Sequence, residues 1–130
     1  MDVRTLLLQA RHRDDPAREE ERFSFAERLG VSEAQVVLHD LLSGSPTLQE
    51  VQGHDVLMIG GAGDFYVSKG DLTNFQVLLE LLVEVVDVGH PTFASCFGFQ
   101  CLVEAWAGKI MHDLPHSEVG TYPVTLTSHG

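Results

Sequence analysis

Basic residues are scarce in this sequence: 8 Lys and Arg stand against 19 Asp and Glu, a formal net charge of −11. With no basic face to neutralise phosphates, nucleic acid and anionic membranes are disfavoured as partners, and the acidic surface serves solubility. Cysteine is also scarce, Cys96 and Cys101 being the only two. They lack the C-x-x-C spacing of a zinc site. One is expected at a strand end and the other inside a helix, which suits a disulfide badly. Long apolar runs are missing: residues 56–59 are too few, and residues 77–88 are interrupted by Glu80, Glu84 and Asp87. Met1-Asp2-Val3-Arg4 lacks the basic-then-apolar pattern of a secretory leader, so a cytoplasmic setting is the default expectation.

What is present is an ordinary globular composition, 44% hydrophobic and 21% charged over 130 residues, which bounds the chain to a single domain, 1–130. Residues 3–10 form a compact apolar segment suited to a strand buried on both faces. Asp14 or Asp15 then caps a helix with Pro16 in its first turn, and Gly30 supplies the stop. Phe23, Ala26 and Leu29 give that helix an apolar face, and Glu19, Glu20 and Glu21 read as its solvated start. Residues 35–42 predict a second strand, residues 46–51 a short helix, and residues 55–59 a third strand ending abruptly in Gly60-Gly61-Ala62-Gly63-Asp64. Asp71 is placed to cap a long helix over 72–88, closed by Gly89-His90-Pro91. A fourth strand at 92–95 and a helix at 98–107 follow, and the tail from 109 to 127 suits two short strands or an extended arm.

Strands alternating with helices predict a doubly wound, mostly parallel α/β sheet with helices on both faces. In such sheets ligands bind beyond the carboxyl ends of the strands. Both unusual loops, residues 60–64 and 95–98, fall there.

Ala94-Ser95-Cys96-Phe97-Gly98 has the form small-x-nucleophile-x-small between a strand and a helix, the pattern of a nucleophile elbow. The tight turn needs small neighbours, pushes the central side chain out of the sheet, and sets it near the first amides of a helix, whose partial positive charge favours a thiolate. The Phe97 amide would face an oxygen developing on an attacked carbonyl, and Gly61, one strand over, offers a second donor. Together they would make an oxyanion hole for acyl transfer. The plainer alternative is a small core cysteine, as Cys101 is expected to be among Leu102 and Val103. His112 and His116 would suit a metal only on a helix, which Pro115 between them opposes, and no third ligand accompanies them; no metal and no cofactor are expected. His39, His54 and His90 fall at strand or loop edges, where a solvated or capping role is usual.

The segments VLMIGGAGDF, PTFASCFGFQCLVEAWAGKI and SEVGTYPVTLT together resemble the class I glutamine amidotransferases, in particular stand-alone members similar to the glutaminase domain of GMP synthase, a flavodoxin-like fold. The resemblance follows the element order from Val3 to Thr127. It implies hydrolysis of the glutamine side-chain amide through a Cys-His-Glu triad, with the ammonia passed to a synthase partner. On that resemblance Cys96 is the nucleophile that forms a γ-glutamyl thioester, and Phe97 and Gly61 supply the oxyanion hole. Gly61 and Gly63 line the substrate site, Gln100 helps hold the substrate, and Glu118-Val119-Gly120 borders its amino-acid end. The chain departs from the family pattern at Phe99, often His, at Ala62, commonly Pro, and at Trp106-Ala107-Gly108, usually Leu-Gly-Gly.

The family's His-x-Glu lies past the point where this chain stops, and His129, followed only by Gly130, does not match it. The expectation is therefore a partial domain carrying nucleophile and oxyanion hole without its base, inactive or nearly so as it stands. A γ-glutamyl hydrolase or peptidase-like relative acting on another γ-glutamyl small molecule is the alternative enzyme, and a non-catalytic binding domain the alternative outside enzymes. A sheet cut short would expose an edge, which favours self-association.

Overall fold

The computed structural model describes residues 2–118 and 120–130. Four strands, β1 (Thr5–Ala10), β2 (Val36–Asp40), β3 (Val56–Ala62) and β4 (Thr92–Ala94), form one sheet in the order β2-β1-β3-β4. Every pairing is parallel. The helices are α1 (Ala17–Leu29), α2 (Leu48–Gln52), α3 (Phe75–Asp87) and α4 (Phe97–Ala105). The architecture is the expected doubly wound α/β sheet, consistent with a flavodoxin-like fold.

β1 is buried along its whole length, and its side chains alternate between two cores. Leu6 and Leu8 join Leu57 and Ile59 of β3 beneath α2, α3 and α4. Leu7 points the other way and packs with Val36, Met58 and Ala26 under α1. α1 thus covers one face and the other three helices the opposite face. No helix among the described residues is long and apolar enough to cross a membrane.

The ends of α1 follow the sequence. Asp15 Oδ1 accepts the Ala17 N–H at 2.9 Å, and Gly30 closes the helix in the left-handed region at φ 67°. Its apolar face differs from expectation. Phe23 is 54% exposed, and Phe25 takes its place beside Ala26 and Leu29 on the sheet. The sum of 100° steps makes 25, 26 and 29 a tighter stripe than 23, 26 and 29.

α3 begins at Phe75, later than the sequence suggests, because Asp71 does not cap it. The Asp71 carboxylate instead accepts the Tyr66 N–H at 2.9 Å, and Asn74, at φ 58°, turns the chain into the helix. β3 also runs further than residue 59. Its pairing with β1 continues to Ala10 opposite Ala62 after a register shift, so Gly60 and Gly61 lie in the strand and not in a turn beyond it. The tail forms no strand among its described residues. It holds one short 3-10 turn at Leu114–His116, and its other described residues are irregular and exposed except Ile110, which packs partly buried against the core.

Candidate active site at the carboxyl ends of the strands

β4 ends at Ala94 and α4 starts at Phe97, leaving Ser95 and Cys96 to reverse the chain. The Ser95 N–H donates to the Ile59 carbonyl at 2.9 Å, which fixes the strand end against β3. Cys96 then takes φ 53° and ψ −113°, a conformation that side-chain-bearing residues rarely adopt, and its thiol is exposed. The helix can leave at this angle only because residue 98 has no side chain. A Cβ on Gly98 would sit 2.5 Å from the Ile59 oxygen and 2.6 Å from its Cβ. A strained residue at the turn, a small residue two later and close strand-to-helix packing are the geometric content of an elbow.

Phe97 buries its ring in the core at 4% exposure, and that anchors the first turn of α4. Gly98 N–H donates to the Ser95 carbonyl at 2.9 Å and Gln100 N–H to the Cys96 carbonyl at 3.1 Å. The Phe97 N–H has no acceptor among the described residues, as the first amide of a helix ordinarily does not. A donor is therefore free beside the thiol. Gln100 itself lies one turn into α4, half-buried.

The glycine segment of β3 is differently disposed. Gly61 N–H donates to Glu21 Oε2 of α1 at 2.8 Å, and Gly63 N–H donates to the Ala10 carbonyl at 3.2 Å. Neither amide is directed at an incoming substrate in this conformation, so the expected part of Gly61 in an oxyanion hole requires a rearrangement. The reading of Glu21 as a solvated helix residue is corrected outright. Its side chain is only 16% exposed, Oε1 accepts from Gln9 Nε2 at 3.0 Å, and Arg11 Nη2 stands 3.6 Å from Oε2. Gly60 makes the room, since a Cβ there would overlap the Glu21 carboxylate.

Gln9, Arg11 and Glu21 meet where the chain's direction of winding reverses between β1 and β3, the place where ligands settle in sheets of this kind. Arg11 Nη1 also pairs with Asp15 Oδ2 at 3.1 Å. The Asp15 carboxyl is held below its ordinary range, chiefly by the Ala17 amide, with Arg11 adding and partial burial opposing. Buried Gln9 Oε1 and Arg11 Nε have no hydrogen-bond partner among the described residues. Beside them His12 lies 3.9 Å from Asp64 and packs its ring on Phe65, bringing the loops after β1 and β3 together.

Cys101 is fully buried in the core beneath α4, and burial pushes its thiol up to about 12. Both cysteines are free. No histidine hydrogen bonds to Cys96 among the described residues. His39 and His54 bond to backbone carbonyls of Gly44 and Glu50, His116 pairs with Asp113 at 2.9 Å, and His112 rests edge-on to Tyr66. His129 bonds to Ser128 at 3.2 Å. Among the described residues no three His, Cys, Asp or Glu side chains converge as metal donors.

Glu118 and Gly120 lie exposed in the tail, with no hydrogen bond to the elbow or to the glycine segment among the described residues. Val119, between them, lies outside the described residues. Sequence reasoning overlooked Gln9, Arg11 and Glu21. The available signal was spacing: Glu21 lies four residues before Phe25, on the sheet-facing side of α1, opposite a strand glycine. No protein-family model matches the chain, and no solved structure matches it.

Proposed function

We propose that Cys96 is the nucleophile of a γ-glutamyl acyl transfer, with glutamine the substrate the sequence resemblance favours and a class I glutamine amidotransferase-like domain the setting. The observation that carries this reading is the strained, exposed Cys96 at φ 53° directly before a Phe97 amide that has no acceptor among the described residues. A core cysteine gains nothing from such a backbone, whereas a nucleophile gains access and a donor.

In the reaction the Cys96 thiolate attacks the γ-carbonyl carbon. The carbon–sulfur bond forms as the carbonyl π pair moves onto oxygen, where the Phe97 N–H meets the charge. Collapse of that oxyanion breaks the carbon–nitrogen bond, and the nitrogen leaves as ammonia after taking a proton. Water then attacks the thioester to give glutamate and the free thiol. Proton delivery to nitrogen needs a base turned acid, and no histidine stands at Cys96 among the described residues. The base is thus assigned to a segment or partner outside this set of residues, as is a synthase that consumes the ammonia. A cytoplasmic setting belongs to the same proposal, because a reducing compartment keeps the thiol free.

The test separates attack from protonation. A γ-glutamyl aryl ester carries a leaving group that needs no proton, so Cys96 should be acylated by it, with the adduct mapped by mass spectrometry and lost in Cys96→Ala. Glutamine itself should turn over poorly. No adduct, or one equally abundant in Cys96→Ala, would remove the proposal.

A further inference from the structure

Resting on that reading, we propose that Glu21 is a latch on the second oxyanion donor: its carboxylate holds the Gly61 N–H and keeps the site at rest until it is drawn away. The amide that the elbow's partner strand could offer to a developing oxyanion already donates to an anionic oxygen at 2.8 Å. An incoming carbonyl has no charge before attack, and it competes for that N–H against a full carboxylate.

Three features make the contact a built one. Gly60 lacks the Cβ that would overlap the carboxylate, so the space for Glu21 is a property of the strand. Gln9 Nε2 fixes the other oxygen at 3.0 Å, and Arg11 at 3.6 Å supplies the compensating charge. Gly61 also gives the peptide the freedom to turn its N–H elsewhere once released, which a side chain at that residue would resist. Glu21 is reachable as well, since it lines an open groove of about 400 Å³ with Arg11, Ala17, Glu20, Phe25 and Arg28, on the α1 face of the sheet. The thiol's helix α4 packs on the opposite face. A group entering the groove could draw the carboxylate off without touching Cys96.

Removal of the carboxylate leaves the neighbours provided for: Gln9 Nε2 keeps the Arg18 carbonyl at 3.0 Å and Arg11 keeps Asp15 at 3.1 Å. Glu21→Ala is therefore the variant of choice. Gly60→Ala is the second, because it expels the carboxylate while retaining the residue. Two rates are compared in each protein: acylation of Cys96 by a γ-glutamyl aryl ester, which develops an oxyanion, and its alkylation by iodoacetamide, which develops none. One oxyanion donor is worth roughly 10²–10³ in rate.

The expected result is acylation faster by about 10² in both variants with alkylation unchanged, together with faster hydrogen exchange at the Gly61 amide alone. A merely structural role would move both rates together. Equal acylation of variants and wild type overturns the latch while leaving Cys96 as nucleophile. Acylation of none of the three, with alkylation normal, overturns the γ-glutamyl reading and the gate with it. Unchanged Gly61 exchange in Glu21→Ala removes the latch as a structural fact.

Discussion

Gly98 rests on Ile59 with no space for a methyl group, its missing Cβ falling 2.5 Å from the Ile59 carbonyl oxygen. The contact is with backbone, which has little room to give way. Gly98→Ala is expected to push α4 off β3, destabilising by about 1–3 kcal/mol as overpacked sites do. Because Cys96 owes its conformation to that packing, acylation should fall further than stability. Urea unfolding and acylation rates on one preparation check both.

The two thiols should behave oppositely towards iodoacetamide. Cys96 is exposed, and Cys101 is buried with its thiol pushed up to about 12. Native protein at neutral pH is expected to take up one label, on Cys96, and unfolded protein two. Peptide mapping of the two samples decides it.

Alkali should weaken the fold through Cys101. Its thiol ordinarily titrates near 9.0 and near 12 in the folded chain, so between those values the unfolded state has lost a proton that the native state keeps. Stability is complete below about pH 9 and is lost as pH rises towards 12, by up to about 1.4 kcal/mol per unit. Urea midpoints measured across this range for wild type and Cys101→Ala isolate the effect, since the variant should lose that part of the slope.

The capping box of α2 offers a local test. Thr47 Oγ1 accepts the Glu50 N–H at 3.2 Å, and the Glu50 carboxylate returns to the Thr47 N–H at 2.6 Å. Thr47→Ala is expected to cost about 0.5–2 kcal/mol, with Val51 beneath the helix losing its fixed place in the core. Thermal unfolding of the variant measures the loss.

Much of the fold was legible because its signals are local. Asp15, Pro16 and Gly30 bound α1, and the leucines of residues 3–10 announce a strand buried on both faces. The elbow was legible too, since small residues around Cys96 and a glycine at a helix start have few other reasons to occur together. The failures share a cause. Asp71 has the right type for a cap but spends its carboxylate on Tyr66, and Glu21 has the right type for a solvated helix start but turns inward to Gly61. In each case the partner lies across a loop or on another element, so the residue's type alone does not reveal it. β3 likewise runs through its glycines because β1 continues beside it, a fact of pairing and not of local preference.

The most direct test is a crystal structure of the chain after reaction with a γ-glutamyl aryl ester. The expected result is a thioester on Cys96 Sγ whose carbonyl oxygen lies within about 2.7–3.1 Å of the Phe97 nitrogen, at an unchanged elbow. An unmodified Cys96, or an acyl group turned to solvent away from Phe97, would contradict the account.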